Sequence, residues 1–152
     1  MSRDGDYPLF DRTYFRKAPT TPRLVASLRR LARTVDETWP DRATGSDGWL
    51  GDAAHQRRLS DHNPDALGRV HALDITARGI DPMAVVNAAR DHPSTHYVIW
   101  DRRIWSRRTE MAAIPYEGAD PHVSHVHVSV EHTAQGRTSD APWSILRRGM
   151  PL

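Results

Sequence analysis

The run His122-Val123-Ser124-His125-Val126-His127-Val128-Ser129-Val130 decides the architecture. From His125 onward two histidines and a serine alternate with Val126, Val128 and Val130, the period-two pattern of a half-buried strand. Successive strand side chains point to opposite faces, so the valines pack on a core while His125, His127 and Ser129 share the other face. Two imidazoles and a hydroxyl on a rigid strand then lie within reach of one shared ion or water.

A second polar cluster, Ser60-Asp61-His62 followed by Asp74, lies roughly fifty residues upstream. The segment Val70-His71-Ala72-Leu73-Asp74-Ile75 reads as a short strand, entered from the turn-rich Asn63-Pro64-Asp65-Ala66-Leu67-Gly68. Alternation puts Asp74 on the face of Val70 and Ala72, and turns His71 away with Leu73 and Ile75. His71 is therefore not expected to be a ligand. His62, just before the turn, can fold back over Asp74. His62, Asp74 and His127 supply two nitrogens and one carboxylate, the three-ligand set of a catalytic zinc with a fourth position open. His125 is left beside it as an acid or base. Of the nine histidines, His92, His96 and His132 read as surface residues or hydrogen-bonded core residues.

The order Ser60-x-His62, glycine, Ala72-x-Asp74, then His125-x-His127 resembles the zinc peptidases that include D-alanyl-D-alanine carboxypeptidases and phage L-alanyl-D-glutamate endolysins. That group belongs with lysostaphin-like and hedgehog-like domains. The run Ser46-Asp47-Gly48, Gly51-Asp52-Ala53-Ala54-His55, Arg58-x-Ser60-Asp61-His62-Asn63-Pro64, with Pro115-Tyr116-x-Gly118 and the His122/His125/His127 triplet, is similar to a branch of actinobacterial phages and prophages. The likeness covers approximately residues 22 to 131.

The resemblance implies that His62, Asp74 and His127 hold Zn2+, that His125 is the catalytic histidine and that His122 is a further active-site histidine. It implies hydrolysis of peptide bonds in peptidoglycan stem peptides, with Ser60 and Tyr116 on the substrate side. Arg58 is the candidate for stabilising an oxyanion or clamping a substrate carboxylate, and a plain surface role is the expectation for at least one of Arg57 and Arg58. Two features depart from the family pattern. The loop between His62 and Asp74 is several residues longer than is common, and Ser124 stands where many relatives carry a catalytic glutamate. The base is then a histidine, or a carboxylate placed elsewhere.

Length and composition agree with one domain spanning residues 1–152, with residues 1–20 as a polar N-terminal arm. Cysteine is absent, which excludes disulfides and thiolate metal sites. The net charge is +2 and Lys17 is the only lysine. The arginines are scattered rather than clustered, against a nucleic-acid footprint, and a mild basic bias suits an anionic polymer such as the cell wall. No apolar segment follows the polar Met1-Ser2-Arg3-Asp4-Gly5-Asp6, and no run reaches membrane-spanning length. The expectation is a monomer made in the cytoplasm that reaches the wall by phage lysis or as part of a virion.

Thr21-Pro22 is expected to open a helix as N-cap and first turn, with Leu24, Leu28, Leu31 and Val35 on one stripe and Pro40 beyond its end. Gly45, Gly48 and Gly51 mark a loop leading to the site. Asp81-Pro82 signals a second helix ending near His92-Pro93. Tyr97-Val98-Ile99-Trp100 and Ile104-Trp105 flank Asp101-Arg102-Arg103 as a hairpin, with both tryptophans as core anchors. Pro115-Tyr116-Glu117-Gly118 reads as a loop at the cleft edge, and Trp143, Ile145 and Leu146 as a docking patch of a turn-rich tail. The fold class is α+β, a small mainly antiparallel sheet carrying the zinc site with helices on its other face.

Two other classes compete with a peptidase. Asp61-His62-Asn63-Pro64 superficially matches the start of a ββα-metal nuclease, but a strand ending in Asp74 follows where that motif needs a helix with Asn and His. His127-x-Ser129 matches half of a two-histidine phosphoesterase and finds no second His-x-Ser/Thr strand. A non-catalytic, zinc-stabilised wall-binding domain is the non-enzymatic alternative.

Overall fold

The computed structural model describes residues 21–52 and 58–146. Along the chain it contains β1 (Arg23–Leu24), α1 (Ala26–Thr38), β2 (Arg69–Val70), β3 (Ala72–Thr76), α2 (Pro82–Asp91), β4 (Thr95–Trp100) and β5 (Arg103–Ser106). A 3-10 turn (Arg107–Thr109), β6 (Ala113–Pro115), β7 (His125–Val130) and α3 (Ala134–Thr138) follow among the described residues. The fold is α+β. Strands β3-β7-β4-β5-β6 form one antiparallel five-stranded sheet, and β1 and β2 make a separate parallel pair.

Register follows the alternation of β7. Leu73 lies opposite Val128 and Ile75 opposite Val126, while Asp74 lies opposite His127 and Ala72 opposite Ser129. On the other side of β7, Val98 of β4 pairs with Val128, Tyr97 with Ser129 and Ile99 with His127. Directly paired residues share a face, so one face is built of Leu73, Ile75, Val98, Val126, Val128 and Val130. This face joins Leu28, Leu31 and Val35 of α1 and Val85, Val86 and Ala89 of α2 in the core. The opposite face carries Asp74, His127, Ser129 and Tyr97.

Helix α2 begins where its cap signals place it: the Asp81 side chain accepts from Ala84 N, and Pro82 occupies the first turn. The β4–β5 hairpin turns at Asp101 and Arg102, with φ of 48° and 63°, the left-handed pair of a tight two-residue turn. Trp105 is buried in the core and Trp100 packs against it.

Helix α1 starts later than its expected Thr21-Pro22 signal, with Val25 at the N-cap. Arg23 N donates to Gly68 O at 2.8 Å and Val25 N to Val70 O at 3.1 Å. Backbone pairing with β2 therefore takes the residues that a local cap would have made helical, and Leu24 enters the core from a strand. The Val70–Ile75 strand is broken at His71, whose N–H donates to Asp61 O at 3.1 Å and whose carbonyl accepts from Val130 N at 3.0 Å. The break shifts the alternation, so Val70 lies in the core and not on the Asp74 face.

The tail differs in detail from the expected docking patch. Trp143 is buried, donates from Nε1 to Ser27 O at 2.9 Å and stacks on His92 at 3.6 Å between ring centroids. Ile145 packs on the core, but Leu146 is exposed. Short β6 and α3 had no clear sequence signal. Thr133 caps α3 by accepting from Gly136 N at 2.9 Å. The expected arm at residues 1–20 lies outside the described residues. Among the described residues no helix is long and apolar enough to cross a membrane.

Candidate metal centre

Three elements bring His62, Asp74 and His127 together. Asp74 and His127 are cross-strand partners in β3 and β7. His62 comes from the turn before β2, and the glycine loop holds both sides of it. Gly48 forms an antiparallel bridge with Asp74, through Asp74 N to Gly48 O at 2.7 Å and Gly48 N to Asp74 O at 3.2 Å, and Gly51 N donates to His62 O at 2.8 Å. The loop is itself tied to β3 by Asp47, whose carboxylate accepts from Thr76 N and Thr76 Oγ1, both at 2.8 Å, and pairs with Arg42.

The donor atoms converge. His62 Nε2 lies 3.2 Å from His127 Nδ1 and 3.2 Å from Asp74 Oδ2, and His127 Nδ1 lies 3.0 Å from Asp74 Oδ1. Two donors bound tetrahedrally at zinc distances stand about 3.4 Å apart, so the spacing fits one small cation. These residues form a buried His/Asp group able to hold a metal ion.

The far side of each ring fits the same role. His62 Nδ1 donates to Trp49 O at 2.8 Å, which leaves Nε2 facing Asp74 and His127. His127 Nε2 meets Ser129 Oγ at 2.8 Å, which leaves Nδ1 as the inward atom. Behind Ser129 lies the buried carboxylate of Asp61, hydrogen-bonded to that hydroxyl and to His132 Nε2 at 2.8 Å. The Tyr97 ring stacks on His127 with centroids 5.4 Å apart, and its hydroxyl contacts Asp61 and Ser129.

Charge follows this geometry. Burial disfavours the ionised form of Asp74, but hydrogen bonds and charge from His127 and His62 outweigh it and hold the carboxyl well below its usual range. Burial likewise opposes charge on His62, and Asp74 overrides it, raising the imidazole above its ordinary value. Asp61 is buried too, yet His132 and Ser129 keep its pKa low. A low-pKa carboxylate facing two imidazole nitrogens attracts a cation where a proton would otherwise sit.

The other expected residues fall around this centre. His125 Nε2 lies 3.9 Å from Asp74 Oδ2, and its Nδ1 meets Ser124 Oγ at 2.9 Å. His122 stands edge-on to His125 and His127, with centroids 4.9 and 5.6 Å away, and burial together with His127 lowers its pKa. Tyr116 packs edge-on against His122 at 5.3 Å, which places the Pro115–Gly118 loop at the site margin. Ser60 turns inward: its Oγ accepts from His62 N at 3.2 Å and so orders the turn that carries the ligand. Arg58 is exposed, and its carbonyl accepts from Asn63 Nδ2 at 2.9 Å. Arg57 and His55 lie outside the described residues.

His71 is buried and stacked on His132 at 3.9 Å, and the converging group consists of His62, Asp74 and His127 without it. Tyr97 and Trp49 carry no sequence signal that marks them as parts of the site, and Asp61 is marked only as a member of the Ser60-Asp61-His62 cluster. The period-two pattern already put Ser129 on the histidine face, whereas Asp61 and Trp49 reach the ligands through turns that no local pattern specifies. Comparisons with protein-family models, curated proteins and solved structures find no match.

Proposed function

We propose that this chain is a zinc-dependent peptidase that hydrolyses peptide bonds in the stem peptides of bacterial peptidoglycan, of the carboxypeptidase and endolysin type its motifs resemble. The observation that carries the reading is the 3.0–3.2 Å convergence of His62, Asp74 and His127, with His125 at its margin. Two neutral nitrogens and one carboxylate are a zinc donor set; cysteine-free sites of this kind serve catalysis more often than structure.

Bound Zn2+ would lower the pKa of water to about 7 and polarise a scissile carbonyl. The protein's own groups then handle protons and orientation. His125 has its Nδ1 against Ser124 and its Nε2 toward the centre, so Nε2 takes the proton of the attacking water and returns it to the departing amine. Ser129 and Trp49 hold the ligand rings in the required tautomers. Tyr116 lines the margin for substrate, and Arg58 is the guanidinium assigned to a substrate carboxylate. Ser60 serves substrate indirectly, by ordering the His62 turn. In this reading the protein meets the wall on phage lysis or with a virion.

The test is the appearance of new amino termini in purified actinobacterial peptidoglycan treated with zinc-loaded protein, with a chelated sample as control. Metal-dependent fragments support the peptidase and their masses name the bond. Intact peptidoglycan together with tightly bound zinc would turn the assignment to a zinc-stabilised binding domain.

A further inference from the structure

A second group of donors stands beside the first. Asp120, His122 and His125 each offer one ligand atom, and these atoms all lie within 4.8 Å of one another. Their other atoms are already engaged. His122 Nδ1 donates to Asp120 O at 2.7 Å, leaving Nε2 bare. His125 Nδ1 meets Ser124 Oγ at 2.9 Å, leaving Nε2, and that atom lies 3.6 Å from Asp120 Oδ2. Asp120 Oδ1 accepts from His122 N at 2.9 Å, so the carboxylate spends one oxygen on the loop and turns the other to His125.

The loop holds this arrangement against a backbone preference. His122 has φ of 53°, a left-handed conformation that residues with a Cβ adopt sparingly and that collects at functional sites. It is pinned by Asp101 N donating to His122 O and Arg102 N donating to Pro121 O, both at 2.9 Å. The β4–β5 hairpin turn therefore holds the backbone that carries His122, and the Nδ1 bond to Asp120 O orients its ring.

We propose that Asp120, His122 and His125 form a second, weaker zinc site, and that filling it inhibits the proposed peptidase. The inhibitory half rests on the function proposed above; the binding half rests on the donors alone. The two groups adjoin at Asp74, whose Oδ2 is 3.2 Å from His62 Nε2 and 3.9 Å from His125 Nε2. Each group brings one carboxylate for a divalent ion, so a first ion leaves net positive charge that repels the second. Asp120 is also exposed, which favours exchange. An ion there occupies His125 Nε2, the atom assigned to proton transfer, so activity falls as it binds.

The experiment is a calorimetric zinc titration of the metal-free chain, paired with fragment release from peptidoglycan over the same free-zinc range. The expected result is a tight equivalent followed by another at least about tenfold weaker, with fragment release falling as the weak site fills. Asp120→Asn keeps an oxygen for His122 N and removes the anionic donor, so it should retain the tight equivalent, lose the weak one and relieve inhibition. A single equivalent at saturating zinc, or an unchanged weak one in Asp120→Asn, overturns the second site. Fragment release that stays level or rises as the weak site fills overturns its inhibitory role. Peptidoglycan left intact at every zinc level, with both equivalents bound, overturns the peptidase reading and leaves the second site standing.

Discussion

His127 and Ser129, two residues apart on one face of β7, are joined by a 2.8 Å hydrogen bond between Nε2 and Oγ, and that bond sets which nitrogen of His127 faces Asp74. The hydroxyl connects the ring to the buried carboxylate of Asp61, which meets His132 Nε2 at 2.8 Å on its far side. The inward nitrogen thus depends on a polar chain reaching beyond the ligands themselves. Ser129→Ala removes the middle of this chain with little change of volume. Second-shell changes of this kind typically cost about 10–100-fold in metal affinity. Competition with a chromogenic chelator should show that loss, while far-ultraviolet circular dichroism stays that of the parent.

Removing a ligand should act differently from removing its neighbour. His127→Ala and Asp74→Ala each delete a converging donor, so both are expected to lose tight zinc and hydrolysis together. His125→Ala should retain the tight zinc and lose hydrolysis rate by about 100-fold or more, the usual scale of general acid–base catalysis. Metal analysis after dialysis, paired with fragment release, separates the two outcomes. Full activity in His125→Ala would remove it from the mechanism.

His71 makes stability depend on pH. Burial, aided by the neighbouring His132, lowers its pKa to about 4. Above pH 6.5 the ring is neutral both folded and unfolded and has no effect. As pH falls from 6.5 to 4 the unfolded chain takes up the proton first, so stability is lost across that window, by roughly 3 kcal/mol. His71→Gln should flatten this part of the curve in urea unfolding measured at several pH values. An unchanged slope would place the titrating group elsewhere.

Trp143 fastens the tail to α1 through its Nε1 bond to Ser27 O and its stack on His92. Both the buried ring and the hydrogen bond are lost in Trp143→Ala, with an expected cost of about 3–5 kcal/mol in denaturant unfolding. Zinc affinity should hold wherever the variant remains folded, because His62, Asp74 and His127 all lie outside the tail.

The site was legible where a local pattern carries it. Alternation in His125–Val130 placed the face, and the Asp81-Pro82 cap and the Tyr97–Trp105 hairpin placed the supporting elements. That Asp74 and His127 each point away from the core follows once both strands are read as half-buried, whereas their direct pairing is a register that only the folded sheet supplies. Features that depend on distant backbone partners were not legible. Leu24 is a strand residue only because Gly68 and Val70 offer carbonyls to its neighbours, and Val70 leaves the Asp74 face only because His71 bonds to Asp61 and Val130 instead of continuing the strand. The pairing of Gly48 with Asp74 is likewise a tertiary event, and a glycine loop alone does not announce its partner.

The most direct test is mass spectrometry of peptidoglycan digested by the zinc-loaded parent chain and by Asp74→Ala, each with bound zinc measured in the same sample. The account predicts new amino termini and tight zinc with the parent chain, and neither with Asp74→Ala. Undigested peptidoglycan from a parent chain that holds zinc at His62, Asp74 and His127 would contradict it.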